Sequence, residues 1–133
     1  MTNLARDRGA TAVEVALLMP IVLVLVMGIV DFGWAVRAQI TITQAAREGV
    51  RVAALKQTGA AGRAQTAADS LGTVGVAVTG CPAGQPPGAN SAEVTVTHTY
   101  DFITPIGAIA GLFGGGGFGA PITLTAEGVM PCE

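Results

Sequence analysis

Glu14 is the only charged residue between Arg8 and Asp31, and the residues after it, Val15-Ala16-Leu17-Leu18, are all apolar. A carboxylate at the centre of a membrane-length helix costs roughly 2.5–3.5 kcal/mol, less near its end, so it calls for a cationic partner and a task. Five positions earlier stands Gly9, which closes a short polar leader containing Arg6, Asp7 and Arg8. Beyond this pair the chain offers little for catalysis. His98 is the only histidine, and on the apolar face of an alternating segment a lone histidine reads as a core residue with its hydrogen bonds satisfied. Cys81 and Cys132 lie too far apart in sequence for a local metal-binding motif, and Ser70 and Ser91 stand in no nucleophile motif. Asp101 and Glu127 fall on solvent faces, and no Lys-Ser or Lys-Thr follows Gly114–Gly117 to make a phosphate loop. The expectation is a protein that is not an enzyme and uses no cofactor or metal.

The elements that position Glu14 follow from composition. The chain has 133 residues, 50% of them hydrophobic and 12% charged. Ordinary soluble domains carry about 25% charged residues, so this balance points to a membrane protein or assembly subunit. A net charge of −2 without a basic patch argues against a nucleic-acid partner. Residues 10–30, ATAVEVALLMPIVLVLVMGIV, would span roughly 31 Å as a helix, close to the thickness of a bilayer's hydrocarbon core. Arg6 and Arg8 before it place the N-terminus on the cytoplasmic side and the remainder outside.

Three readings fit such a segment. A secretory signal has an apolar core of about 7–15 residues and a small-residue cleavage site, but Arg37 spoils Ala35-Val36-Arg37-Ala38. A plain anchor explains length and hydrophobicity but leaves Glu14 without a task. The third reading rests on a resemblance: Gly9-Ala10-Thr11-Ala12-Val13-Glu14 behind a basic leader is similar to the type IV prepilin motif. That resemblance implies that a membrane peptidase cuts between Gly9 and Ala10 and leaves the apolar helix in the mature protein. The new α-amino cation on Ala10 would sit one helical turn from Glu14, which can pair with it or with the amine of a neighbouring subunit.

The stretch from Arg8 to Leu55 narrows the resemblance further. Arg8-Gly9, Ala12-Val13-Glu14, Met19-Pro20, Gly28, Asp31-Phe32-Gly33 and Ala45-Ala46-Arg47-Glu48-Gly49 with Arg51 look like the N-terminal region of the TadE-like proteins. These are minor pilins, or pseudopilins, of the tight-adherence (Tad) system that builds Flp-type pili. The major Flp pilins carry tyrosine directly after the glutamate and many TadE-like proteins phenylalanine, whereas this chain has Val15. The resemblance implies as partners a prepilin peptidase, other Tad pilins and pseudopilins, an inner-membrane assembly platform and membrane lipid. It implies a single-pass protein of the bacterial cytoplasmic membrane with its C-terminal domain outside, and leaves open whether it enters the fibre. The competing function is an unprocessed single-pass protein with an extracytoplasmic adhesive or binding domain.

The expected organisation is a leader (1–9), a transmembrane part of the N-terminal helix (10–30), its extracytoplasmic continuation (31–56) and a C-terminal domain (57–133). Pro20 would kink the span, and Gly28 and Gly33 would let helices approach closely. Trp34 and Phe32 suit the membrane interface. Past it, Ala35, Ala38, Ile42, Ala45, Gly49 and Ala53 form a seam of mostly small side chains, opposite Arg37, Thr41, Gln44, Glu48 and Arg51. Arg47 and Glu48 read as a solvated face with local helix pairs. Gln57-Thr58-Gly59 ends the helix, and a shorter one is expected over 60–71.

Period-two alternation predicts strands over 73–79, 93–102 and 122–130, an antiparallel meander covered by the small-residue seam. The fold class is therefore α+β: a long N-terminal helix, transmembrane then amphipathic, on a small three-stranded antiparallel sheet, the outline the pilin resemblance also implies. Cys81 and Cys132 follow the outer strands at the same end of the sheet. If exported, they can pair, closing about 50 residues and stabilising by roughly 4 kcal/mol. The 104–120 loop carries Ile106, Ile109, Leu112, Phe113 and Phe118, suited either to contact a membrane or partner or to fold back over the sheet.

Overall fold

The computed structural model describes residues 3–112, 114, 117 and 119–133, with the backbone alone for 3–10 and 110. Phe113 and Phe118 of the apolar loop, and Gly115 and Gly116 of the glycine run, lie outside the described residues. In chain order the elements are α1 (Asn3–Ala54), α2 (Ala60–Ala67), a 3₁₀ turn (Asp69–Leu71), β1 (Gly75–Thr79), β2 (Ser91–Tyr100), α3 (Ile106–Leu112) and β3 (Ile122–Pro131). They form two compact units, Met1–Gly33 with Phe102–Ala120, and Trp34–Asp101 with Pro121–Glu133.

In the second unit the three strands pair antiparallel in the order β1-β2-β3. Val76 is opposite Val96, and Val96 opposite Ala126, so the even-numbered residues of all three strands share one face. Ala92, Val94, Val96 and Tyr100 are buried there, while Ile122 and Met130 at the ends of β3, an edge strand, remain exposed. The α1 residues Ala38, Ile42, Ala45, Ala46, Val50, Ala53 and Ala54 are buried, and from Ile42 to Ala54 they belong to one core with Val94, Val96 and Ala126. The small-residue seam is what lets the helix lie this close. A Cβ placed on Gly49 would stand 3.0 Å from Ala64 Cβ and 3.1 Å from Val94 Cγ1, so α1, α2 and β2 meet at that glycine. A Cβ on Gly128 would come within 2.7 Å of the Ala46 carbonyl oxygen and 2.9 Å of its carbon. Backbone cannot swing aside as a side chain can. Gly128→Ala should therefore destabilise this unit by about 1–3 kcal/mol, the usual range for overpacking. Urea denaturation of the full-length protein reads this directly, and an unchanged midpoint would refute the close contact.

The seam's end is also defined. α1 stops at Ala54; Lys56 adopts φ 55° and the Gln57 amide donates to Val52 O at 3.1 Å, a left-handed termination. Gly59, at φ 93°, then redirects the chain into α2. The helix expected over 60–71 is split into α2 and the 3₁₀ turn. Glu48 is not confined to local helix pairs: it accepts from Arg63 of α2 at 3.0 Å. Both side chains are about half exposed, so the pair is worth at most about 1 kcal/mol.

In the first unit, α1 runs through Pro20 without interruption. Packed with it is the segment expected to be a loop, which instead contains the short helix α3. This segment therefore belongs with the apolar helix. A Cβ on Gly28 would meet Ile106 Cδ1 at 3.9 Å, whereas Gly33 faces open space.

Candidate processing and assembly site

Gly9 and Ala10 lie within α1, so the peptide bond between them is helical rather than extended. Glycine costs a helix interior about 1 kcal/mol relative to alanine, which makes this a favourable point for the helix to open. Glu14 is exposed, four residues beyond Ala10 and on the same helical face. Its neighbours Val13, Val15, Leu17 and Leu18 are exposed too, as are most large apolar residues from there to Val30. A helix surface of this kind is stable in lipid or among other helices, not in water. α1 holds the one stretch, among the described residues, long and apolar enough to be a candidate membrane span. Pro20 lines an apolar groove on this helix with Ala12, Val15, Ala16, Met19, Leu23 and Ile109.

Cys81 and Cys132 form a disulfide with a Cα–Cα distance of 5.8 Å. Adjacent strands lie about 4.8 Å apart, so β1 and β3 are themselves too far apart to be bridged. The bond is possible because each cysteine lies beyond its strand, where the chain can turn in over the start of β2. Backbone bonds from Cys132 N–H to Asn90 O (2.9 Å) and from Gly88 N–H to Cys132 O (2.8 Å) hold that turn.

Two residues behave differently from the sequence reading. The His98 Nδ1 atom is buried with no hydrogen-bond partner among the described residues, so the expectation of a satisfied core histidine does not hold. The cause is its place on the inner face of β2, directly opposite the apolar Leu124 of β3. Asp31 stands in the sequence only as part of a motif, yet it is 2% exposed and organises a turn. Its carboxylate accepts from the Ile103 amide at 3.0 Å, the Thr104 amide at 3.2 Å and the Thr104 hydroxyl. Burial opposes its ionisation, but the Thr104 hydroxyl and the two amides prevail and hold its carboxyl below the usual range. The one signal in the sequence is position: an acid directly after a membrane-length apolar run. Within the polar stripe, Arg37 lies over the Trp34 ring at 4.9 Å, a cation–π contact.

No group of three or more metal-ligating side chains occurs among the described residues. The region that carries Gly9, Glu14, Pro20 and Asp31 is also the region that matches a known family. Residues 9–51 match the TadE-like protein family. No curated protein and no solved structure matches the chain. The TadE-like segment thus begins at the proposed cleavage glycine and ends inside the seam that packs on the sheet. It supplies the membrane-span candidate and most of the helical half of the core, and the sheet, disulfide and α3 lie outside it.

Proposed function

We propose that this protein is a minor pilin or pseudopilin of a Tad-type pilus, cut by a prepilin peptidase between Gly9 and Ala10. The observation that carries this reading is the TadE-like match starting at Gly9, on a helix whose next 21 or so residues are of bilayer length. In this reading 1–9 is a removable cytoplasmic leader, 10–30 spans the cytoplasmic membrane, and the sheet domain lies outside it. Residues 31–56 connect the span to that domain and are helical as far as Ala54. Its partners are the peptidase, other Tad pilins and pseudopilins and an inner-membrane assembly platform. After cleavage, Glu14 pairs with an Ala10 amine and neutralises two charges that would otherwise be costly within an apolar bundle. An exported domain closed by a disulfide suits a subunit whose work is assembly.

Mass spectrometry of the protein isolated from its own membranes tests the reading. Ala10 is the expected first residue. Gly9→Val should abolish processing, because a branched side chain adds bulk beside the scissile bond at a position the cleft accepts as glycine. An intact Met1 or Thr2 start in the unaltered protein would overturn the proposal and leave an anchored, unprocessed extracytoplasmic domain.

A further inference from the structure

The segment from Phe102 to Ala126 contains no charged residue. Its described helical part, α3, packs on the apolar portion of α1 within the same unit. Ile106 lies against Gly28, and Ile109 shares a groove with Leu23, Pro20, Met19, Ala16, Val15 and Ala12. Passing from Ile106 to Ile109 therefore moves toward lower residue numbers on α1, so α3 descends along the helix in the opposite direction. At 1.5 Å per residue, Leu23 lies roughly 12 Å from Asp31 along the axis. If α1 spans a bilayer with Asp31 at its outer boundary, Ile109 lies well inside the hydrocarbon.

The backbone where the segment begins is arranged as a water-free environment demands. Polypeptide in lipid must satisfy its own donors. The Ile103 amide, the Thr104 amide and the Thr104 hydroxyl all donate to Asp31. Pro105 has no N–H to satisfy, and its carbonyl accepts the Ile109 amide at 3.1 Å to open α3. From Ile103 to Pro105 no donor is left for water. The outward side of α3 is apolar as well: Leu112 is 84% exposed, and a leucine so exposed is favourable among acyl chains rather than in solvent.

We propose that Ile103–Leu112 is a second membrane-embedded element, seated among the phospholipid acyl chains of the extracytoplasmic leaflet beside the span, with Asp31 fixing where it begins. The inference rests on the span assigned above and adds to it a lipid-contacting surface from the far half of the chain. It makes the membrane footprint of the protein wider on the outer side than on the inner.

Tryptophan depth measurement tests this. Leu112→Trp is made in a Trp34→Phe background, which leaves one indole, and the full chain is reconstituted into vesicles of phosphatidylethanolamine and phosphatidylglycerol. The expected result is loss of fluorescence when mid-chain-brominated phospholipid is included, with little loss to aqueous iodide. Adding Asp31→Ala should shift the balance toward iodide, because the anchored turn is released. Quenching of the introduced indole by iodide alone would overturn the proposal. Quenching by neither agent would overturn it too, since the indole would then be covered by protein. A Val22→Trp control in the same background separates the two ideas. If the control indole is quenched by brominated lipid and the one at position 112 is not, the span stands and this inference fails. If neither is, the span itself is wrong.

Discussion

Glu14→Ala is expected to leave this protein inserted and processed but to exclude it from assembly. The substitution removes the one charge from an apolar run, so insertion should become easier by up to about 3 kcal/mol. Cleavage depends on the backbone at Gly9, five residues away, and should proceed. What is lost is the partner for the Ala10 amine. In a bundle of such helices that cation would be left buried and unpaired, a situation that costs several kcal/mol and that subunits avoid by not packing. On the proposed reading the loss also removes a charge pair that would distinguish one axial register from another along an apolar surface. Membrane fractionation, mass spectrometry of the N-terminus and immunoblotting of sheared pili separate the three steps. Glu14→Gln keeps the shape without the charge and should fail in the same way, whereas Glu14→Asp should retain part of the function. Normal piliation in the alanine and glutamine variants would remove any assembly role for this carboxylate.

Breaking the disulfide should have the largest effect on stability. Cys81 and Cys132 are 51 residues apart in sequence, and closing a loop of that size restricts the unfolded chain by about 4 kcal/mol in the loop-entropy model. Domains this small have only a modest net stability, commonly near the lower end of about 5–15 kcal/mol. The core offers little to compensate, since it is built largely of alanine and valine. Cys81→Ser with Cys132→Ser, or reduction of the native protein, should lower the urea midpoint sharply and expose the sheet region to protease. Unfolding of the intact chain in detergent micelles, with and without reductant, gives the comparison. A difference below about 1 kcal/mol would mean that the packing alone carries the domain.

Much of this architecture is legible in the sequence, and the limits are instructive. The strands are readable because Val94, Val96 and Ala126 alternate with polar residues at period two, and one face is truly buried. The seam from Ala38 to Ala53 is readable because its small residues recur at three and four. Strand bounds shift by a residue or two, as they do where hydrogen bonding rather than pattern sets the end. The role of 104–120 is not readable in the same way. A glycine-rich run without charges has no contrasting face, so periodicity cannot tell a loop from a short helix or say what covers it. Asp31 and Glu48 escape the sequence for a different reason. Their partners, at Ile103–Thr104 and Arg63, lie beyond turns, and pairwise spacing along a helix carries no information about them. For the candidate site, Gly9 and Glu14 stand out only because their surroundings are so uniform.

Gly128 has a mechanical meaning as well as a thermodynamic one. Its missing side chain seats β3 against the Ala46 backbone at one point of a long helix. A displacement of one turn, about 5.4 Å, would bring the bulkier Ile42 or Val50 to the place where Ala46 now sits. Tension along the helix axis, such as hauling a subunit out of a bilayer would impose, therefore meets a detent rather than a smooth track. Load applied to the apolar end of α1 passes into the sheet by shear across this contact and its neighbours together. The helix cannot slip through the domain it carries; it must either bring that domain with it or tear the sheet away.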